Sequence, residues 1–289
     1  TPFRPGDPIG MALARGDLDI GATGTVTHVD GSRIYAFGHP FLNLGPTSMA
    51  MTQARVFAIL PSLDSSMKIA AMGPVIGTMG QDRSTAVGGT LGAGPRELEV
   101  NLTLTSDRTP DRQFRFYVLH DQILTPLFSY VAILNSLISY ERQAGAMSVS
   151  ATGSVSFGSN GVVPIDDAFT GDTAPALVSA AIAAPIGAAF TNEFRNVLPE
   201  KVDIKLRASE QQESKTIERV WLDTTRPKLG ATYTLQVLLR DFRGSTETVS
   251  LPVTMPTHPT GPATLLVAEA TTLAGLEQRE LKPGKPSTW

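Results

Sequence analysis

The fold is encoded most clearly in residues 21–37, which read GATGTVTHVDGSRIYAF. Two runs rich in β-branched and aromatic residues flank Asp30-Gly31, and an Asp-Gly pair is typical of the tight turn that joins two antiparallel strands. Residues 21–37 therefore predict a β-hairpin. Strand-like segments recur at 55–60, 75–79, 97–105 and 113–119, so a β-rich core is expected over residues 7–120.

The pattern changes after residue 120. Thr125-Pro126 is typical of a helix start, with Thr as the capping residue and Pro in the first turn, and predicts a helix near 126–144. The apolar stretch 174–190 contains two prolines and is too short to cross a bilayer, so it predicts a second packed helix near 175–194. Residues 1–198 are expected to form one domain.

The last third of the chain alternates apolar and polar residues again. Strand-like segments separated by turns predict an immunoglobulin-like β-sandwich over residues 199–270. The proline-containing segment 271–289 predicts a C-terminal linker. The whole chain is thus expected to be mainly β, with a sandwich following the first domain.

Composition excludes several classes of function. The 289 residues carry a formal net charge of -3, with no clustered basic face of the kind that nucleic acids require. There is no cysteine, which excludes disulfides, zinc–thiolate sites and cysteine nucleophiles. The four histidines lack zinc-site spacing, so neither a metal nor a cofactor is expected. The absence of cysteine and the start at Thr1 favour a processed, exported protein of the periplasm, cell envelope or medium.

Two segments contain candidate functional residues. His39 stands in FGHPF, where Gly38 removes bulk and the following proline stiffens a loop at a strand end; such loops hold catalytic side chains, although a turn histidine has the same setting. Ser84 stands in the glycine-flanked patch GQDRSTAVGG. With Asp82 and Arg83 it forms either a nucleophile or peptide-binding loop, or a structural turn in which Asp82 accepts backbone N–H bonds.

Residues 23–27 (TGTVT) and 35–40 (YAFGHP) resemble the peptidase domain of the SpoIVB family, as does the later run GGTLG at 88–92. The likeness extends over about residues 7–145. It implies a chymotrypsin-like serine peptidase of two β-barrels. With the helices that the sequence pattern predicts, the first domain is expected to be a peptidase-type β-barrel with one or two inserted or packing helices.

The same resemblance implies a catalytic triad. His39 would be the general base, Asp121 would orient its ring, and the family's Asp-to-Ser interval leads to Ser136. The glycine-rich loop that surrounds the family's serine is missing here. Ser136 lies instead in the helical pattern VAILNSLI at 131–138, where backbone N–H groups are already bonded and do not form an oxyanion hole.

Two functional hypotheses follow. The first is an exported SpoIVB-like serine endopeptidase that forms an acyl-enzyme through Ser136 or Ser84. The second is a catalytically inactive peptidase-fold module that binds a polypeptide or an envelope protein partner, or builds an oligomer or larger assembly. Neither hypothesis involves nucleic acid or a transmembrane span.

Overall fold

A computed structural model describes residues 3–64, 66–140, 145, 147–242, 244–258, 261 and 264–280. The described chain is mainly β, as the sequence predicts. It divides into two compact units, Thr1–Glu210 and Gln211–Trp289. This division falls later than the predicted boundary between residues 198 and 199, because the strand that follows this boundary hydrogen-bonds within the first unit.

Within its described residues, the first unit contains eleven strands and two α-helices. The strands are β1 Pro8–Gly16, β2 Ile20–Asp30, β3 Arg33–Ala36, β4 Gly45–Leu60, β5 Met67–Arg83, β6 Ala86–Leu91, β7 Glu97–Ser106, β8 Arg112–Leu119, β9 Met147–Ser156, β10 Val162–Gly171 and β11 Lys201–Ser209. The helices are α1 Leu124–Tyr140 and α2 Ala174–Thr191, and a short 3₁₀ turn, Gly158–Asn160, joins β9 to β10.

Six of these strands close into a ring. Neighbours pair antiparallel in the order β1, β2, β3, β6, β5, β4, and residues 50–53 of β4 pair in turn with residues 9–12 of β1. Side chains such as Met11, Ile34, Met51 and Met79 are fully buried in the core. Closure leaves no free strand edge along the paired segments, so the ring is a rigid support for the loops at its ends.

The other five strands extend the sheet from the far end of β1. Residues 14–16 of β1 pair with β8, and the order continues β8, β7, β11, β9, β10, with β7 and β11 parallel. The helices α1 and α2 pack against this part of the sheet and against each other. Because the sheet ends at β10, the described residues form one closed barrel beside an open, helix-covered sheet. The two barrels that the family resemblance implies are therefore not confirmed.

Among the described residues, α2 is the one helix whose length and composition would allow it to cross a membrane. Its Val178, Ile182 and Ile186 are fully buried in the core of the first unit. Ser179, also buried, donates a hydrogen bond to the Pro175 carbonyl at 2.7 Å. A core helix packs in this way, so α2 on its own is weak support for a membrane span.

The second unit contains one three-stranded antiparallel sheet in its described residues. The strands are β12 Lys215–Leu222, β13 Thr232–Asp241 and β14 Thr246–Thr254, in that order. Leu235 and Val237 on the central strand are its buried apolar residues. A sandwich needs a second sheet facing the first, so the predicted immunoglobulin-like arrangement is not confirmed. Residues Ala270–Glu280 form helix α3 where a linker was predicted, and the predicted tail at 281–289 lies outside the described residues.

Candidate functional site

The loop that carries His39 joins β3 to β4 and has an unusual backbone. Phe37 and Gly38 adopt left-handed conformations, with φ of 73° and 72°, and Asn43 follows with φ of 57°. A left-handed phenylalanine is strained, because its Cβ crowds the backbone. The Phe37 ring lies directly over Gly24 on β2, where any Cβ would overlap it. Gly24, the glycine of the TGTVT segment, therefore leaves the space in which this ring packs.

A buried carboxylate fixes the same loop. Asp82 is fully buried and accepts backbone N–H bonds from Phe41 at 2.8 Å, Leu42 at 2.8 Å and Leu44 at 3.2 Å. A β-bulge between Met79 and residue 81 makes this possible. Residues 79 and 82 would face opposite sides of a regular strand, but the extra residue lets both point inward. The sequence analysis considered Asp82 as an acceptor of backbone N–H bonds within its own turn. It does accept such bonds, but the donors lie in the His39 loop.

His39 itself is exposed at this end of the barrel. Its Nδ1 lies 2.6 Å from the Pro40 carbonyl oxygen, and its ring lies 5.7 Å from the Phe37 ring. A carbonyl only accepts hydrogen bonds, so Nδ1 is the donor in this contact, and Nε2 takes no part in it. The Pro40 carbonyl thus has the orienting position that the family resemblance gives to Asp121.

Asp121 has a different role from the predicted one. Its Oδ1 accepts hydrogen bonds from the backbone N–H groups of Ile123 and Leu124, each at 2.9 Å, and so caps the start of α1. Its own N–H donates to the buried Thr125 hydroxyl, which donates in turn to the Leu119 carbonyl. The carboxylate therefore stabilises the helix start, and no hydrogen bond joins it to His39 in the described structure.

Ser136 lies within α1, as its sequence context predicts. Its side chain is almost completely buried and donates to the Ala132 carbonyl at 2.8 Å, the local bond expected of a helix serine. It lines a small cleft of about 250 Å³ together with Asn135 and Ser139. His39, Asp121 and Ser136 therefore each bond to a different local partner, and the structure does not assemble the triad that the resemblance implies.

A groove runs over the outer face of β3, β6 and β5. It has a volume of about 490 Å³, and its lining includes Arg33, Tyr35, Gln81, Arg83 and Gly88. On the sheet, Gly88 stands directly between Tyr35 and Gln81. Because Gly88 has no side chain, the floor of the groove there is backbone, bordered by the Tyr35 ring 3.5 Å from where a Cβ would stand.

The ends of this groove are positively charged. Arg33 pairs across the sheet with Thr90, and Arg83 with Ala86, so the two arginines stand near opposite ends of β6. Four residues of strand separate these positions, roughly 13 Å. The Arg83 side chain is held by its Nε–H, which donates to Gln81 at 2.7 Å. The groove thus places two cations about four residues of extended chain apart.

Ser84 lies next to this groove, in the turn that joins β5 to β6. Ser84 is exposed. It lies two residues after Asp82, the residue that binds the His39 loop. No hydrogen bond joins Ser84 to His39 in the described residues. In the same residues, no three metal-ligating side chains come together.

Comparison of the chain with protein-family models, with curated proteins and with solved structures found no match. Functional inference therefore depends on the geometry of the barrel end and on the chemistry of the groove.

Proposed function

We propose that this chain is a non-catalytic, peptidase-like module of an exported protein, and that it binds an extended polypeptide in the groove over β3, β6 and β5. The observation that carries this proposal is the backbone floor at Gly88 between Tyr35 and Gln81, with an arginine near each end. The resemblance to the SpoIVB peptidase domain supports a common origin for the barrel, which would then have kept its fold without its chemistry.

The groove suits an extended chain better than a compact ligand. Its length corresponds to about four extended residues. A missing side chain at Gly88 lets a ligand backbone approach closely, while the exposed Tyr35 ring offers an apolar and hydrogen-bonding wall. The guanidinium groups of Arg33 and Arg83 favour carboxylates, which they bind with paired N–H bonds. The preferred ligand is therefore a peptide with acidic residues at both ends.

Two members of the triad that the resemblance implies, Ser136 and Asp121, already have other partners. A serine nucleophile must bond to the base that activates it. The Ser136 hydroxyl donates its hydrogen bond to a backbone carbonyl, and the carboxylate of Asp121 accepts N–H bonds at the start of the helix. These contacts favour the binding hypothesis over the peptidase hypothesis.

Binding is tested with an array of short immobilised peptides, followed by titration of a fluorescent acidic peptide. We expect retention of peptides with acidic residues spaced four apart. Arg83→Ala should weaken binding about tenfold or more, the value of one hydrogen bond to a charged group. The matched control is Arg195→Ala, an exposed arginine outside the groove. Equal effects of the two variants would refute the groove as the site.

One observation keeps a serine peptidase as the second candidate. Nδ1 of His39 is engaged by the Pro40 carbonyl and Nε2 takes no part in that contact, and Ser84 stands exposed in the turn after the strand that binds the His39 loop. A fluorophosphonate probe with mass spectrometry distinguishes the two proposals. The binding hypothesis predicts no adduct on folded protein. An adduct on Ser84 or Ser136 that disappears in His39→Ala would establish an activated serine and reject the non-catalytic proposal.

A further inference from the structure

One end of the groove presents a cluster of hydrogen-bond donors. The Arg83 Nε–H donates to the Gln81 side chain at 2.7 Å, and because an arginine only donates, the accepting atom is the amide oxygen. The Gln81 NH₂ group and the two terminal nitrogens of Arg83 remain, and all three groups are donors. Gln81 and Arg83 together are called the donor fork below.

The donor fork has no anionic partner of its own. Arg83 is exposed, and it forms no ion pair with a carboxylate in the part of the chain that the structure describes. Its neighbour Asp82 is buried and accepts N–H bonds from the His39 loop. No Asp or Glu is among the described residues that line the groove. An unpaired guanidinium beside a fixed amide is a suitable site for a carboxylate, which it binds through paired N–H bonds.

The two ends of the groove differ in charge. Arg33 lies directly opposite Asp30 on β2, so both side chains are on one face of the sheet and the carboxylate offsets part of the positive charge. The residue opposite Arg83 on β6 is Ala86. On the β4 side, a Cβ at Gly45 would stand 3.6 Å from Nη1 of Arg83, so this guanidinium lies over a residue without a side chain. The donor fork is therefore the stronger of the two anion sites.

The sheet also ends at the donor fork. β5 ends at Arg83, β6 begins at Ala86, and on either side β3 ends and β4 begins at the same level. At the Arg33 end, by contrast, β5 continues back to Met67. A polypeptide that lies along β6 therefore has sheet beneath it toward Arg33 and no described strand beneath it past the donor fork.

This arrangement distinguishes the end of a ligand chain from an acidic residue within it. A terminal carboxylate is attached directly to the backbone, so it reaches the donor fork while the last residues of the ligand lie over the floor at Gly88. An acidic side chain within a longer ligand would require the backbone to continue past the fork, where the described sheet gives it no support. The end of a chain fits this end of the groove better.

We propose that the donor fork binds the C-terminal carboxylate of a polypeptide, whose last residues, about four in number, lie along β6 with the chain entering over Arg33. This inference rests on the peptide-binding function proposed above and specifies which part of the ligand the groove recognises. An acidic side chain near Arg33 is then a secondary preference.

Two peptides of identical sequence test the proposal by fluorescence anisotropy. Both carry a dye at the N-terminus and one glutamate about four residues before the end. One peptide ends in a free carboxylate and the other in a carboxamide. We expect wild type to bind the amidated peptide about tenfold more weakly or worse, because the donor fork loses its charged acceptor. In Arg83→Ala the two peptides should bind equally.

Two variants separate the donor fork from the rest of the groove. Arg33→Ala, at the other end, should weaken both peptides by the same factor and leave the ratio of their dissociation constants unchanged. Gln81→Ala should reduce this ratio by about three- to fivefold, because one neutral donor is lost. A third peptide, extended by two residues past the original end, should bind wild type as weakly as the amidated one. Circular dichroism of each variant shows whether the fold is retained.

Two outcomes would overturn the proposal, and they have different consequences. If wild type binds the free and amidated peptides equally, and Arg83→Ala weakens both alike, the groove binds side-chain carboxylates and does not recognise chain ends. If neither peptide binds and the peptide array retains nothing, the peptide-binding function fails, and this inference fails with it.

Discussion

The buried carboxylate of Asp82 offers the sharpest test of how the barrel end is built. It accepts three backbone N–H bonds from the His39 loop, at 2.8, 2.8 and 3.2 Å. A hydrogen bond to a charged group contributes about 1.5–3 kcal/mol. The three N–H donors are only partly buried, so water can replace some of these hydrogen bonds when the carboxylate is removed. We therefore expect Asp82→Ala to lower the free energy of unfolding by about 3 kcal/mol.

For a unit of this size, that loss lowers the melting temperature by roughly 6–12 °C. The loop should change as well, because the left-handed conformations of Phe37 and Asn43 cost about 1–3 kcal/mol each and need external support. Hydrogen exchange should show lost protection at the amides of Phe41 and Leu42. Urea unfolding measures the stability, with Asp107→Ala as the control at an exposed loop aspartate.

Asp82→Asn sharpens the experiment. The amide keeps the volume and one acceptor oxygen but turns an NH₂ group toward the loop donors, so we expect a loss of about 2 kcal/mol, between wild type and alanine. A change of less than about 0.5 kcal/mol in Asp82→Ala, with loop amides as protected as before, would refute the reasoning, because such values are ordinary for surface substitutions.

Three further predictions concern single residues. The buried Thr52 hydroxyl has no hydrogen-bond partner in the described residues, so Thr52→Val should raise the free energy of unfolding by about 1 kcal/mol in urea titrations, and a loss would contradict the prediction. Gly24→Ala should lower it by about 1–3 kcal/mol, because the added methyl overlaps the Phe37 ring; an unchanged midpoint would show that the ring is not fixed. Burial acts to raise the pKa of Asp203, but the hydrogen bond from Lys201 contributes to a net lowering. The small stability difference between wild type and Asp203→Asn should therefore be present at neutral pH and disappear as the pH falls through the carboxyl range; a difference that grows in acid would reverse the sign.

The hairpin at residues 21–37 shows how far local sequence determines this fold. Two strands and a tight turn were predicted there, and β2 and β3 form them. The turn lies one residue later than predicted, since Asp30 pairs with Arg33 and Gly31 takes the left-handed position, with φ of 57°. Period-two alternation and an Asp-Gly pair are local signals, so they locate the turn within one residue.

The long hairpin of β4 and β5 was only partly predicted. The sequence indicated strands at 55–60 and 75–79, whereas the structure has Gly45–Leu60 and Met67–Arg83. Several register shifts interrupt the alternation along these strands, including the one that turns Asp82 inward. A bulge reverses the side-chain pattern on which strand prediction depends. This is why the role of Asp82 in the loop was not visible in the sequence.

Long-range pairing explains the remaining differences. The strand at Lys201–Ser209 pairs in parallel with β7, about a hundred residues earlier, and so joins the first unit instead of a separate sandwich. The alternating sequence of this strand does not show whether it pairs with β7 or with strands of a separate sandwich, because either arrangement would bury one face of the strand. The pairing of β1 with β4 that closes the ring also joins segments about forty residues apart, so the local sequence does not predict it.

Structural contacts alone account for the glycine, histidine and proline of the His39 loop. Gly38 supplies a left-handed residue, the Phe37 ring covers Gly24, and the Pro40 carbonyl holds the histidine ring. Each contact stabilises the barrel end whether or not a substrate is cleaved. The motif that resembles a peptidase therefore has a sufficient structural reason, and only a hydroxyl delivered to Nε2 of His39 would make it catalytic. That atom is where the binding and peptidase proposals differ, which is why labelling in the presence and absence of His39 separates them.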